Sequence, residues 1–331
     1  MAFEIEMIAV GAADAILVRY FGENDKEIVI LIDAGYKKDG KKIADHINKW
    51  TDSKRIHLAI CTHPDNDHIG GFFYLVDHVP IDLFWIHDPK KHVPAIQGLE
   101  ALKESATEDS QLEKSLSHVF ENLKHSKSLL SQLDAKGIKR QEPFAGLKYK
   151  HAPLTVLGPE KGYYTSLLAK FRDASILLED SDYFEKAEIT EAFNQLLKTD
   201  EAKLDDEDDK SPENNSSVIM LFEPENKKYL FTSDVGPEAL EPVVRQYKLR
   251  NIDWLDVPHH GSKCNFSTHL IKTLNPKLAY ISCDGSAHWP SLALVNLLKA
   301  NGAIVYSTQD GNKLHRRGTN SRVGYSPAKP L

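Results

Sequence analysis

Thr62-His63-Pro64-Asp65-Asn66-Asp67-His68-Ile69-Gly70-Gly71 places four metal-competent side chains, His63, Asp65, Asp67 and His68, within six positions. Imidazole and carboxylate are the donors that borderline and hard divalent cations take. Pro64 biases His63 toward extended backbone, in which side chains two positions apart point to the same side. His63 and Asp65 are thereby set to converge on one ion, while Asp67 and His68 turn toward a second. A plain turn is the competing reading, since Asp, Asn and Pro form turns and Gly70-Gly71 could end a surface loop. A turn, however, does not need two histidines flanking two aspartates.

The cluster follows His57 to Cys61, which reads as a short buried strand, and precedes Gly70 to Val76, whose apolar pattern suits a helix. Upstream, Phe3 to Val10, Ala15 to Tyr20 and Ile28 to Ile32 are strand-like, and Asp33-Ala34-Gly35 ends the third run. Lys41 to Trp50 then spaces Ile43, Ala44, Ile47 and Trp50 as a helix does. The C-terminal part repeats this organisation. Ser217 to Glu223 and Lys228 to Thr232 read as a hairpin ending in Ser233-Asp234-Val235-Gly236. A helix over Pro237 to Tyr247 follows, then a strand over Ile252 to Val257 that delivers His259-His260-Gly261-Ser262. Asp33 stands 30 positions before His63, and Asp234 stands 26 before His260. The expectation is one domain over 1–331 with pseudo-halves 1–160 and 211–331. Two stretches rich in Leu, Lys, Glu and Ser, about 94–137 and 161–203, read as helical insertions around a strand at Leu154 to Leu157. The acids Asp205 to Asp209 with Ser211-Pro212-Glu213-Asn214 read as a linker or solvated face.

Composition narrows the class. Of 331 residues 41% are hydrophobic and 27% charged, enough for a large core, and no run approaches the roughly 18 apolar residues of a membrane span. The acidic opening Met1-Ala2-Phe3-Glu4-Ile5-Glu6 lacks the features of a signal peptide, so a cytoplasmic protein without membrane association is expected. Cys61, Cys264 and Cys283 are expected as reduced thiols. A net charge of −7, from 41 basic and 48 acidic residues, argues against a protein that simply coats nucleic acid. Lys37, Lys38, Lys41 and Lys42, and Arg316, Arg317 and Arg322, leave room for a local basic rim. Gly35 to Lys42 satisfies GxxxxGK, but Lys42 replaces the Ser/Thr that would reach magnesium in a nucleotide-binding loop. There is no GxSxG elbow for a serine hydrolase.

These motifs resemble the metallo-β-lactamase fold, whose HxHxDH signature is similar to His63-Pro64-Asp65-Asn66-Asp67-His68 with Asp65 in place of the second His. The resemblance is narrower still to the ComEC-like group, the C-terminal domains of bacterial DNA-uptake channels. It is carried by Val10-Gly11-Ala12-Ala13-Asp14-Ala15, Leu31-Ile32-Asp33-Ala34-Gly35, the His63 to Gly71 stretch, Thr232-Ser233-Asp234 and Val257-Pro258-His259-His260-Gly261-Ser262. It implies an α/β protein (α+β in some schemes) built as a four-layer αβ/βα sandwich with helical insertions, the metals lying where the loops of both sheets meet. It further implies that Asp234 bridges two divalent ions and that His260 completes the second site, with His259 a less certain member. The fold's third metal His falls where this chain has Asn214-Asn215, which leaves Asn215 as an additional candidate and the first site oxygen-rich. Zinc and manganese both stay open, with magnesium a further option. Asp14 and Asp33 are near the site by resemblance, Asp33 either orienting a metal-bound His or capping a turn. Asp67 is also a candidate catalytic residue. So is His288, in Ser286-Ala287-His288-Trp289-Pro290, which would hold a phosphate or protonate a leaving oxygen unless it is a structural loop His. The activity implied is metal-dependent hydrolysis, first of DNA or another phosphodiester through a metal-activated water. Hydrolysis of a carboxylic ester, lactone or thioester is the alternative, and a non-catalytic scaffold a third. The partners expected are a nucleic acid or other phosphodiester substrate, with the helical insertions available for a protein partner or a second copy.

Overall fold

In the computed structural model the described residues are all but 1, 23–24, 93–124, 169–207, 210, 287–288, 323–324 and 326–327. The first sheet begins as an antiparallel meander of β1 (Ala2–Met7), β2 (Ile16–Phe21) and β3 (Glu27–Ile32). It continues in parallel through β4 (Leu58–Ile60), β5 (Leu83–Trp85) and β6 (Lys139–Gln141). Parallel neighbours require crossovers. Here these are α1 (Gly40–Trp50), then the pair α2 (Asn66–Ile69) and α3 (Phe72–His78), then α4 (125–135). The second sheet holds β7 (Lys148–Tyr149), β8 (Leu154–Gly158), β9 (Ile219–Phe222), β10 (Tyr229–Phe231), β11 (Trp254–Asp256), β12 (Leu278–Ile281) and β13 (Ile304–Ser307). Its strands run parallel from β10 to β13. The helices on this side are α5 (Lys161–Leu168), α6 (Pro212–Asn215), α7 (Pro237–Gln246), α8 (Thr268–Leu274) and α9 (Leu292–Ala300). β14 (Lys313–Arg317) returns to the first sheet and pairs with β1.

The period-2 alternation explains the layers. Phe3, Ile5, Ile16, Val18, Ile30 and Ile32 face inward and meet Met220, Phe222, Phe231 and Trp254 of the other sheet. The opposite face of the first sheet, with Leu17, Val29 and Leu31, packs on Ile43 and Ile47 of α1 and Leu75 of α3. In the second sheet Leu230, Leu255 and Ala279 pack on Leu240, Ile271 and Leu298 of α7, α8 and α9. This is the expected four-layer α/β sandwich.

Two expectations change. The strand at Leu154 to Leu157 falls within the pseudo-half 1–160, yet β8 pairs with β7 and β9, so the passage between sheets lies between Gln141 and Lys148. β7 and β8 extend the second sheet with a hairpin that local pattern cannot assign to either sheet. The expected insertions are also shorter at their edges. In α4, Leu129 and Leu133 are fully buried in the core of the first sheet, and in α5 Tyr164, Leu167 and Leu168 are buried. Most of 94–137 and 161–203 lies outside the described residues.

Candidate metal centre

Every candidate ligand leaves the C-terminal end of a parallel strand, where the crevice of open α/β sheets forms. Asp33 follows β3, His63 follows β4, Asp234 follows β10, and His259 and His260 follow β11. The loops are stitched together across the sheets. Val218 N–H donates to the Thr62 carbonyl (3.2 Å), and the Thr62 and Ser233 hydroxyls are 2.7 Å apart. Asp65 is extended (φ −68°, ψ 147°) and opens α2, so His63 and Asp65 share one side, with His63 Nε2 3.8 Å from Asp65 Oδ2. The Gly70-Gly71 pair is not a surface turn. A Cβ on Gly71 would lie 2.0 Å from the Ala34 carbonyl oxygen, and this close approach lets the His68 carbonyl accept from Ala34 N–H (2.8 Å). His259 and His260 adopt left-handed backbone (φ 47° and 54°), a conformation costing roughly 1 kcal/mol or more per non-glycine residue and typical of functional sites.

Asp234 is the hub. Its Oδ2 lies 3.3 Å from His68 Nε2, 3.8 Å from His259 Nε2, 3.9 Å from His260 Nε2 and 4.0 Å from His63 Nε2. Asp67 Oδ2 stands 3.2 Å from His260 Nε2 and 3.5 Å from His68 Nε2. Asp67, His68, Asp234 and His260 thus form one tight ligand-competent group.

The other ring nitrogen of each histidine is engaged from behind. His68 Nδ1 meets Asp33 Oδ2 at 2.8 Å, and His260 Nδ1 meets the Ser282 carbonyl at 3.0 Å. His259 Nδ1 meets Asn265 Oδ1 at 3.0 Å and Asp209 Oδ2 at 3.2 Å. His63 Nδ1 lies 3.2 Å from the Thr62 hydroxyl, whose own hydrogen goes to Asp33 Oδ2 at 2.6 Å. Each Nδ1 is therefore placed to carry a proton, which leaves Nε2 as the nitrogen that faces Asp234 and can take up a proton or a cation. His63 Nε2, His68 Nε2, Asp65 Oδ1 and Asp234 Oδ1 are buried without a hydrogen-bond partner, as a set of donors awaiting cations would be.

Electrostatics state the same demand for positive charge. Burial disfavours charged imidazolium, yet Asp234 and its neighbouring carboxylates outweigh it and hold His68 and His260 well above the usual histidine range. Burial would likewise raise Asp67 and Asp234. The histidine charges overcome it and hold both below the usual carboxylate range. Among the described residues His87, after β5, is the contrast: buried between Phe144 and Tyr164 with both nitrogens unpartnered, it is pushed down to about 3 by desolvation.

Of the residues picked from sequence, His63, Asp65, Asp67, His68, Asp234 and His260 come together, and His259 joins them. Asp33 sits behind His68 as an orienting acceptor. Asp14 lies on the same rear side, 3.6 Å from His260 Nδ1 and 3.9 Å from His68 Nδ1. Asn215 departs from expectation: its Oδ1 accepts from Gly236 N–H (3.1 Å), so it pins the turn that carries Asp234. His288 lies outside the described residues; its neighbour Trp289 packs over His259, ring centroids 5.1 Å apart. The Gly35 to Lys42 segment is no phosphate loop, because the Asp39 carboxylate already accepts from Tyr36 N–H. Thr62, Ser217, Ser282 and Asn265 were missed as positioning residues. So was Asp209, read as part of a solvated acidic run. Its Oδ2 also accepts from Asn214 and Asn265 at 2.7 Å each. Burial opposes its charge, and these bonds with that from His259 hold it below the usual range.

The comparisons agree with this geometry. A family model described as Metallo-beta-lactamase superfamily matches residues 8–108, the segment that carries Asp14, Asp33 and His63 to His68. ComE operon protein 3 of Bacillus subtilis (strain 168) is 25% identical over 60% of this chain and 27% of its own length. The chain therefore spans about a quarter of that curated relative. Among the described residues no helix is long and apolar enough to cross a membrane. The two-sheet sandwich with its His/Asp centre at the joined C-terminal strand ends is thus similar to the metallo-β-lactamase superfamily, by the match over residues 8–108, and to a ComE operon protein.

Proposed function

We propose that the chain is a metal-dependent hydrolase acting on phosphodiesters, with a nucleic acid strand or a smaller phosphodiester as substrate. The observation that carries this reading is the convergence of four histidine Nε2 atoms on the buried Asp234 carboxylate. His63, Asp65 and Asp234 would hold one divalent cation and Asp67, His68, His260 and Asp234 a second, with His259 beside the shared carboxylate. When bound, such cations supply Lewis-acid activation of a water and of a phosphoryl oxygen.

The chain's own residues do the rest. Asp33, Thr62, Ser282 and Asn265 fix the ring orientations, so the donors are preorganised. Asp65, Asp67 and His259 keep 22%, 22% and 24% of their side chains exposed, whereas His63, His68, His260 and Asp234 are nearly closed off. Substrate and water therefore approach from the Asp65, Asp67 and His259 side. Three carboxylates in the donor set favour an oxygen-seeking cation, manganese or magnesium as well as zinc, and suit a reaction on phosphoryl oxygens.

The test is a screen of DNA, RNA, a cyclic dinucleotide and chromogenic phosphodiester and carboxylic ester substrates, each with manganese, zinc or magnesium. The proposal expects phosphodiester turnover that His68→Ala abolishes. Turnover of carboxylic esters alone, or identical behaviour of His68→Ala, would overturn it.

A further inference from the structure

The opposite end of the same strands carries different chemistry. A cavity of about 410 Å³ opens there between the sheets, and Lys26, His57, Lys139, Lys148, Lys150 and His151 contribute to its lining. Lys26 stands just before β3, His57 just before β4, and Lys139 starts β6, so the cavity lies at the N-terminal ends of strands whose C-terminal ends carry the metal centre. Asp82 is the carboxylate on this lining among the described residues, and it is paired with Arg55 at 3.3 Å. None of the four lysines has a carboxylate within ion-pair distance among the described residues. In a chain of net charge −7, this is a local basic groove of ligand size.

Two further features separate it from ordinary surface charge. Trp85 lines the cavity, is 1% exposed, and its indole N–H has no hydrogen-bond partner, a buried donor without an acceptor. Lysines on the edge strands β6 and β7 would also guard the sheet edges against pairing. Lys26 and His57 adjoin interior strands of the sheet, where there is no edge to guard.

We infer that this groove binds phosphate-bearing anions at a site separate from the metal centre, lysine ammonium groups meeting the phosphate oxygens and the Trp85 N–H serving an acceptor. His57 and His63 bracket β4, which sets the groove up to roughly 20 Å from the centre along the strand. On the phosphodiesterase reading, and resting on it, the groove holds a part of the substrate strand remote from the bond that is cut.

The test measures binding without turnover. Fluorescein-labelled oligothymidylate is titrated in EDTA, followed by anisotropy, and a mononucleotide is titrated by calorimetry. Wild type is compared with Lys148→Glu/Lys150→Glu, with Lys148→Gln/Lys150→Gln, and with Lys139→Glu. The expected result is a loss of affinity of about tenfold or more for the Glu variants and a smaller loss for the Gln variant. The slope of log Kd against log salt should fall by roughly one per lysine that meets a phosphate. Loss for the oligonucleotide alone identifies a strand site, and loss for both identifies a nucleotide site. Unchanged affinity in all variants, or no binding by the wild type, overturns the inference. Turnover of a small chromogenic phosphodiester is measured alongside: if it is absent while binding still depends on the lysines, the hydrolase reading fails and the groove stands.

Discussion

The two ends of strand β4 differ in what they ask of a ligand. At its C-terminal end His63 enters a buried cluster of imidazole nitrogens and carboxylates that could hold cations. At its N-terminal end His57 accepts from the Val29 N–H (3.0 Å) beside a groove of lysines that attracts anions. Burial dominates at His57 and lowers its pKa, whereas at His68 and His260 carboxylates outweigh burial and raise it. One sheet thus separates a cation-demanding end from an anion-demanding one, and substitutions at either end should act on different observables.

The largest effect is expected at the hub. Asp234→Asn removes the charge that four histidines face, and should abolish bound metal and lower kcat/KM on the order of 10³-fold, checked by elemental analysis and kinetics. Asp33→Asn is expected to cost about 10–100-fold in metal affinity or activity, because an amide can present N–H to His68 Nδ1 and turn the ring proton to the wrong nitrogen. A metal titration in competition with a chelator would measure it. Of the four histidines around Asp234, Asp209→Asn touches His259, and its effect should lie at or below the lower end of that range, seen in the same titration.

His87 sharpens the contrast within the metal end. Its folded value of about 3 lies below the ordinary 6.5, so the stability it contributes is present above pH 6.5 and is lost as pH falls from there toward 3. The unfolded chain takes up the proton first, with a slope of up to about 1.4 kcal/mol per pH unit. Urea unfolding of His87→Leu between pH 6.5 and about 4 should therefore show a flatter decline than wild type. An identical decline would mean that His87 is protonated in the folded protein. The smallest effect is expected from Lys148→Glu/Lys150→Glu on folding, within about 0.5 kcal/mol, since both lysines are exposed.

Much of the cation-demanding end was legible in the sequence because its donors are locally dense. His63 to His68 sit on one loop after a strand, and Asp234 and His260 repeat the strand-turn-helix spacing of the first part. What holds these donors was not legible. Asp209 reaches His259 across 50 positions and Asn265 across 56, and Ser217 approaches His63 across 154, so no local pattern links them. Asp209 in particular sits in an acidic run whose composition signals solvent, and only the fold turns it inward. The part played by Asn215 was hidden for a related reason: its oxygen accepts from the Gly236 amide 21 positions away. The groove was hidden more completely. Its basic residues come from positions 26, 57, 139, 148, 150 and 151, and they meet only because β6 and β7 end up at the same edge of two different sheets.

The central claim is that Asp234 and the histidines around it form a cation centre. Its most direct test is metal content by elemental analysis of the purified chain, compared with Asp234→Asn prepared identically. The proposed hydrolase reading predicts about two divalent cations per wild-type chain and a near-complete loss in the variant. Equal metal content in the two proteins, or a wild-type chain that takes up none when manganese, zinc or magnesium is supplied, would contradict it.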